Sequence, residues 1–136
     1  MREIKFRGKR LDNGEWLYGS LLVSYFKDDK KERYFITQFS GNYTFEHEVN
    51  PATVGQYTGL KDKNGREIYE EDILKSERDD RLYVVKFWVG MFYASVEECN
   101  KGIFGGFPLH ALTENEESGY GCDIIGNIHD NRHLLK

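Results

Sequence analysis

Between Tyr43 and Val49 a bulky residue falls on every second position: Tyr43, Phe45, His47 and Val49 alternate with Thr44, Glu46 and Glu48. Successive side chains of an extended strand point to opposite faces, so this rhythm predicts a strand with one face turned to water. Asn50-Pro51 ends it, because proline cannot donate to a ladder and restricts the residue before it. The same period recurs at the start, where Ile4 and Phe6 alternate with Lys5, Arg7 and Lys9. Asp12-Asn13-Gly14 follows as a hairpin turn, since Asn-Gly tolerates two consecutive positive φ angles.

Further strands are expected over Glu15–Val23, Arg33–Phe39, Val54–Thr58, Asp72–Lys75, Met91–Val96 and Ile124–Ile128. Leu82–Val89 is a nearly continuous β-branched and aromatic run, which predicts a central strand buried on both sides. Lys27–Glu32 and Glu77–Arg81 are charged loops, Glu114–Gly121 is an acidic one, and Asp62-Lys63-Asn64-Gly65 is a polar turn. Pro108–Leu112 predicts one helical turn, and Asp130 caps a short terminal helix through Leu135. The expected fold is mainly β, α+β at most: coiled antiparallel sheets or small barrel-like subdomains with one or two short helical turns. The whole chain, 1–136, reads as a single domain, divisible into two interlocked β subdomains of about 1–58 and 59–136.

Composition narrows the function classes. Nine Phe, nine Tyr and two Trp bring the aromatics to 15%, which argues against disorder and for pleated sheets. The first seven residues, Met1-Arg2-Glu3-Ile4-Lys5-Phe6-Arg7, hold no apolar run for a signal peptide. The longest stretches without a charged residue, such as Tyr34–Phe45, are twelve residues and contain polar ones, far short of the about 20 apolar residues a membrane span needs. A cytoplasmic location in the host cell is expected, with Cys99 and Cys122 as reduced thiols. Net charge is −4, unevenly spread: residues 1–35 carry a net of +3 and residues 36–136 a net of −7. That asymmetry hints at an electropositive face rather than wholesale binding of phosphate backbones.

The candidate sites are few. Lys5, Arg7 and Lys9 share one parity, which puts three positive charges on one strand face as a candidate partner-binding surface, extended by Lys27, Lys30, Lys31 and Arg33 if the loop folds back. An edge strand guarded by charge against aggregation would give the same pattern. His129 and His133 stand at the i, i+4 spacing of a helical zinc grip, but a third ligand would have to come from far away, from His110 or Glu46. No metal site and no cofactor are expected. The cysteines lie too far apart for a redox pair and read as buried, inert thiols. Lys101–Phe107 is Gly-rich without the Gly-Lys-Ser/Thr ending of a phosphate loop, so it reads as a mobile aromatic loop. Glu70-Glu71-Asp72 reads as a solvated turn whose Asp anchors backbone amides. Nothing here forms a catalytic set, and none is assigned.

The segment Val49-Asn50-Pro51-Ala52-Thr53-Val54-Gly55-Gln56-Tyr57-Thr58-Gly59-Leu60-Lys61-Asp62-Lys63-Asn64-Gly65-Arg66-Glu67-Ile68-Tyr69 resembles the YopX family of phage- and prophage-encoded proteins. Ile4-Lys5-Phe6-Arg7-Gly8-Lys9, Trp16-x-Tyr18-Gly19 and Ile125-Gly126-Asn127-Ile128 resemble it too, so the likeness runs over essentially the whole chain. The family often has Gly before the Asp-Ile pair; Glu71 stands there in this chain, which weakens any claim that the backbone there needs a positive φ. The resemblance implies a β-rich fold, a phage context and no assigned activity. The expected role is a non-enzymatic phage or prophage accessory protein that binds a host or phage protein. The alternative is a weak nucleic-acid-binding small barrel using the basic N-terminal strand.

Overall fold

A computed structural model describes residues 2–97, 103–113 and 121–135. The fold is mainly β, as the alternation predicts, with antiparallel pairing throughout. The chain divides into two compact units, residues 1–57 and 58–136.

Unit 1 holds β1 (Phe6–Lys9), β2 (Trp16–Phe26), β3 (Lys31–Ser40), β4 (Tyr43–Val49) and the first half of β5 (Gly55–Lys61). The strand order is β4-β3-β2-β1-β5. The long β2–β3–β4 meander runs in unbroken register from Tyr34 opposite Val49 to Ser40 opposite Tyr43. An isolated bridge joins Arg10 to Val49, so the end of β4 meets the chain just beyond β1. The core is small: Leu17, Ile36 and Val49, with Phe6, Leu21, Tyr34 and Val54 packed on it. β1 lies between β2 and β5 and is therefore no edge strand, and Ile4 is exposed rather than buried beneath it.

Unit 2 holds the rest of β5, β6 (Glu67–Tyr69), β7 (Asp72–Ser76), β8 (Leu82–Trp88), β9 (Met91–Glu97), β10 (Ile103–Pro108), α1 (His110–Thr113) and β11 (Cys122–Asn127). Five of these form a sheet in the order β10-β9-β8-β7-β11. β8 is central, as expected, and Tyr83, Val84 and Val85 are buried, but Phe87 and Trp88 project into solvent. The core gathers Ile68, Leu74, Tyr83, Val85, Ala94, Leu109, Leu112 and Cys122. Pro108 sits in the end strand β10, where a missing N–H costs least. The expected terminal helix is a 3₁₀ turn over Arg132–Leu135. Cys99 and the Glu114–Gly121 loop up to residue 120 lie outside the described residues.

The Asn-Gly corners form differently from the simplest expectation. Only the glycines take positive φ, 73° at Gly14 and 80° at Gly65, while the asparagines before them do not. Asn13 instead accepts a hydrogen bond from the Glu15 amide, and Asn64 donates its own amide to Asp62. Side-chain to backbone bonds thus replace the second left-handed residue.

Candidate partner-binding surface

The segment that resembles a family most strongly is occupied with holding the fold. Asn50 Oδ1 accepts from the Ala52 amide and opens a 3₁₀ turn over Pro51–Thr53. Thr53 Oγ1 donates to the Asn50 carbonyl at 2.6 Å and accepts from the Lys9 amide at 2.9 Å, tying this turn to β1. Downstream, the Asp62 side chain is fully buried and both its oxygens accept twice. Oδ1 takes the amides of Asn64 and Arg66, each at 2.9 Å. Oδ2 takes Arg66 Nε and the Ile124 amide, each at 3.1 Å. Arg66 goes on to Asp123 at 2.7 Å and to the Ile124 carbonyl at 2.6 Å, which fastens the turn to β11. Burial alone would push the Asp62 carboxyl up, but the amides of Arg66, Ile124 and Asn64 and the Arg66 guanidinium outweigh it, so the group lies below the usual carboxylate range.

The Glu70-Glu71-Asp72 turn is not solvated throughout. Asp72 is buried and accepts from the Tyr69 amide at 2.8 Å. Glu71 takes φ of 71°, so the backbone there does adopt the positive φ that a non-glycine residue made a weaker expectation. The reason is tertiary: its N–H donates to the Val85 carbonyl at 2.7 Å and its carbonyl accepts from the Ile128 amide at 3.0 Å. Its carboxylate sits 3.1 Å from His129 Nε2. His129 thus faces Glu71, and His133 follows in a 3₁₀ turn rather than on the α-helix a paired grip needs. Asn127 organises this end, its Oδ1 accepting the amides of His129 and Asp130.

Of the basic strand, Arg7 is 5% exposed and its guanidinium lies 4.6 Å from the Trp16 ring centre. Lys9 lies 5.6 Å from the same ring and Lys5 lies 5.4 Å from that of Tyr57. Lys5 also pairs with Glu3. The three side chains do share a face, and that face is laid against aromatic rings. Arg33 stacks on Phe26 at 4.5 Å and pairs with Asp29 within the β2–β3 turn. Cys122 is completely buried; burial, then the carboxylates of Asp62, Asp123 and Glu77, push its thiol up to about 12. Of the Lys101–Phe107 stretch, residues 103–107 belong to β10 and the two before them lie outside the described residues.

The surface that stands open is elsewhere in unit 1. Phe39 and Tyr43 are each 72% exposed, and Tyr18 and Phe45 lie about half exposed. Tyr18, Phe39 and Phe45 border a groove of about 460 Å³ whose other walls are Gly19, Ser20, Thr37, Gln38 and Ser40. Its shape depends on Gly19, where a Cβ would lie 2.2 Å from the Thr37 carbonyl oxygen. Gln38 Nε2 reaches the Tyr18 carbonyl at 3.3 Å across the strands. None of these eight lining residues is charged. Sequence reasoning placed Phe45 on the apolar side of a strand; that the core stops short of it was hidden.

The model of the YopX protein family matches residues 5–136. The chain belongs to the YopX family. The match takes in both units of this YopX chain, including the Asn50–Thr53 turn and the Asp62 clamp. The crystal structure of protein EF1440 from Enterococcus faecalis is similar to it, with 25% sequence identity, a TM-score of 0.57 and full coverage of both chains. No curated protein matches the chain. Among the described residues no helix is long and apolar enough to cross a membrane.

Proposed function

We propose that this YopX chain is a non-enzymatic binding module, a phage or prophage accessory protein acting in the host cytoplasm on a host or phage protein. The observation that carries the reading is the uncharged groove of unit 1, framed by the exposed rings of Tyr18, Phe39 and Phe45 with Tyr43 nearby. Clustered exposed aromatics on a soluble surface mark protein contact sites, because rigid rings bury much area at small entropic cost.

A protein fits the groove better than a nucleic acid does. The nearest charges on β4 are Glu46 and Glu48, which would repel phosphates. Lys5, Arg7 and Lys9, the residues a nucleic acid would need, lie against Trp16 and Tyr57. The conspicuous carboxylate and thiol of unit 2, Asp62 and Cys122, are buried in the clamp and the core, which supports a non-enzymatic role.

The test is affinity capture from prophage-bearing cells with the wild-type chain and with Phe39→Ser/Phe45→Ser. A protein retained by the first and lost by the second is the expected result. Equal recovery by both, or retention of DNA or RNA at about 50 mM salt that Lys5→Glu/Lys9→Glu removes, would overturn the reading.

A further inference from the structure

We infer that the β8–β9 turn of unit 2 is a lipid anchor, a finger that enters the headgroup and upper acyl layer of a zwitterionic bilayer. This goes beyond the binding-module reading and does not depend on the groove of unit 1. The neighbouring strands stop short of the hairpin end. Among the described residues the last bond on the β7 side runs from the Glu71 amide to the Val85 carbonyl. On the β10 side it runs from the Leu109 amide to the Phe92 carbonyl. Phe87–Met91 project past both. Val89 is 78% exposed, and Phe87, Trp88 and Met91 stand open beside it. Trp88 pairs with Met91 on one face, and Phe87 with Phe92 on the other. The finger is therefore apolar all round rather than on one side.

The apex is strained. Val89 and Gly90 both take positive φ, 51° and 75°. A two-residue turn of this kind favours Asn before Gly and penalises a β-branched residue. Val89 packs in neither core cluster, so core contacts do not offset the strain. Strain retained at such a position marks a functional one. The chemistry favours lipid over a protein pocket. Phe87–Met91 carry no charge and offer one strong side-chain donor, the Trp88 indole N–H, whereas a protein contact is rimmed by polar groups. Lys86 and Tyr93 form the next row behind Phe87 and Phe92. Aromatic rings backed by a Lys on an apolar stem are the composition of a membrane interface. Val89 lies three positions beyond Lys86, about 10 Å at about 3.3 Å each, which matches the about 5–10 Å that interfacial anchors sink. The Lys86 row then sits among the headgroups. A chain of net charge −4 has no long-range pull toward anionic lipid, so the surface selected is zwitterionic.

The probe is phosphatidylcholine vesicles mixed with the full chain, read by co-sedimentation and by quenching of tryptophan fluorescence with acyl-brominated lipid. Binding is expected, unchanged between about 50 and about 500 mM NaCl and not increased by phosphatidylserine. Quenching should disappear in Trp88→Phe, which leaves Trp16 as the reporter and keeps an apolar ring for binding. Val89→Asn/Met91→Ser should weaken binding about tenfold or more while the circular dichroism stays that of wild type, since both side chains are exposed. Phe39→Ser/Phe45→Ser should bind vesicles as wild type does, which separates the anchor from the groove. No binding, binding that needs phosphatidylserine and fades with salt, or quenching that survives Trp88→Phe would overturn the inference. Loss of a captured protein, rather than of vesicles, in Val89→Asn/Met91→Ser would overturn it too and assign the finger to a protein pocket.

Discussion

Replacing Asp62 with Asn leaves the size of the side chain unchanged and removes one acceptor. Each carboxylate oxygen accepts two N–H groups in the folded chain, Asn64 and Arg66 on one side, Arg66 Nε and Ile124 on the other. Whichever way the new amide turns, its NH₂ group faces two donors. Hydrogen bonds to a charged acceptor are worth about 1.5–3 kcal/mol each, so losing two predicts a destabilisation of about 3–6 kcal/mol. That is a large part of the about 5–15 kcal/mol that holds a typical domain. Urea denaturation followed by circular dichroism at pH 7 measures it. The pH dependence supplies a second reading. The folded Asp62 carboxyl lies below its ordinary range, so its stabilisation is complete above the unfolded value of about 3.9 and is lost as pH falls through the folded value. The gap between wild type and variant should therefore be full at pH 7 and shrink below pH about 4. A destabilisation under about 1 kcal/mol, or a gap that does not change on acidification, would refute the clamp.

Three further outcomes follow from single positions. Val89 begins the two-residue turn between β8 and β9 at φ of 51°, a conformation that penalises a β-branched residue. Val89→Asn should gain about 1 kcal/mol and raise the melting temperature by about 3–6 °C, read by calorimetry. Gly19→Ala would place a Cβ against the Thr37 carbonyl and should cost about 2 kcal/mol or more, visible as a lower urea midpoint. Cys122, its thiol pushed up to about 12, should resist iodoacetamide at pH 8 in the folded chain and react on unfolding, as peptide mapping of that cysteine would show.

The strands were legible because alternation is a local signal. The β4 expectation, Tyr43–Val49, is met residue for residue, and Asn50-Pro51 ends it as the missing donor requires. What alternation does not reveal is where a core stops. Tyr43 and Phe45 share the parity of Val49, yet Val49 packs on Leu17 and Ile36 while the other two run past the end of that cluster into solvent. The same blindness affects Arg7, which reads as a solvent-facing charge until Trp16 from the next strand is laid over it. Long-range bonds explain the rest. Asp62 looks like a turn residue in a polar loop, and its Ile124 donor lies 62 residues downstream. Glu71 is held at positive φ by partners on Val85 and Ile128, which no local pattern announces.

In the proposed reading the family signature builds the fold and the aromatic surface of unit 1 meets the partner. Hydrogen exchange of the full chain with and without its captured partner tests this division. Slowed exchange should fall on Thr37–Glu46 of β3 and β4, with Thr58–Asp72 equally protected in both states. Protection gained mainly across Leu60–Asp72, with β4 unchanged, would contradict it.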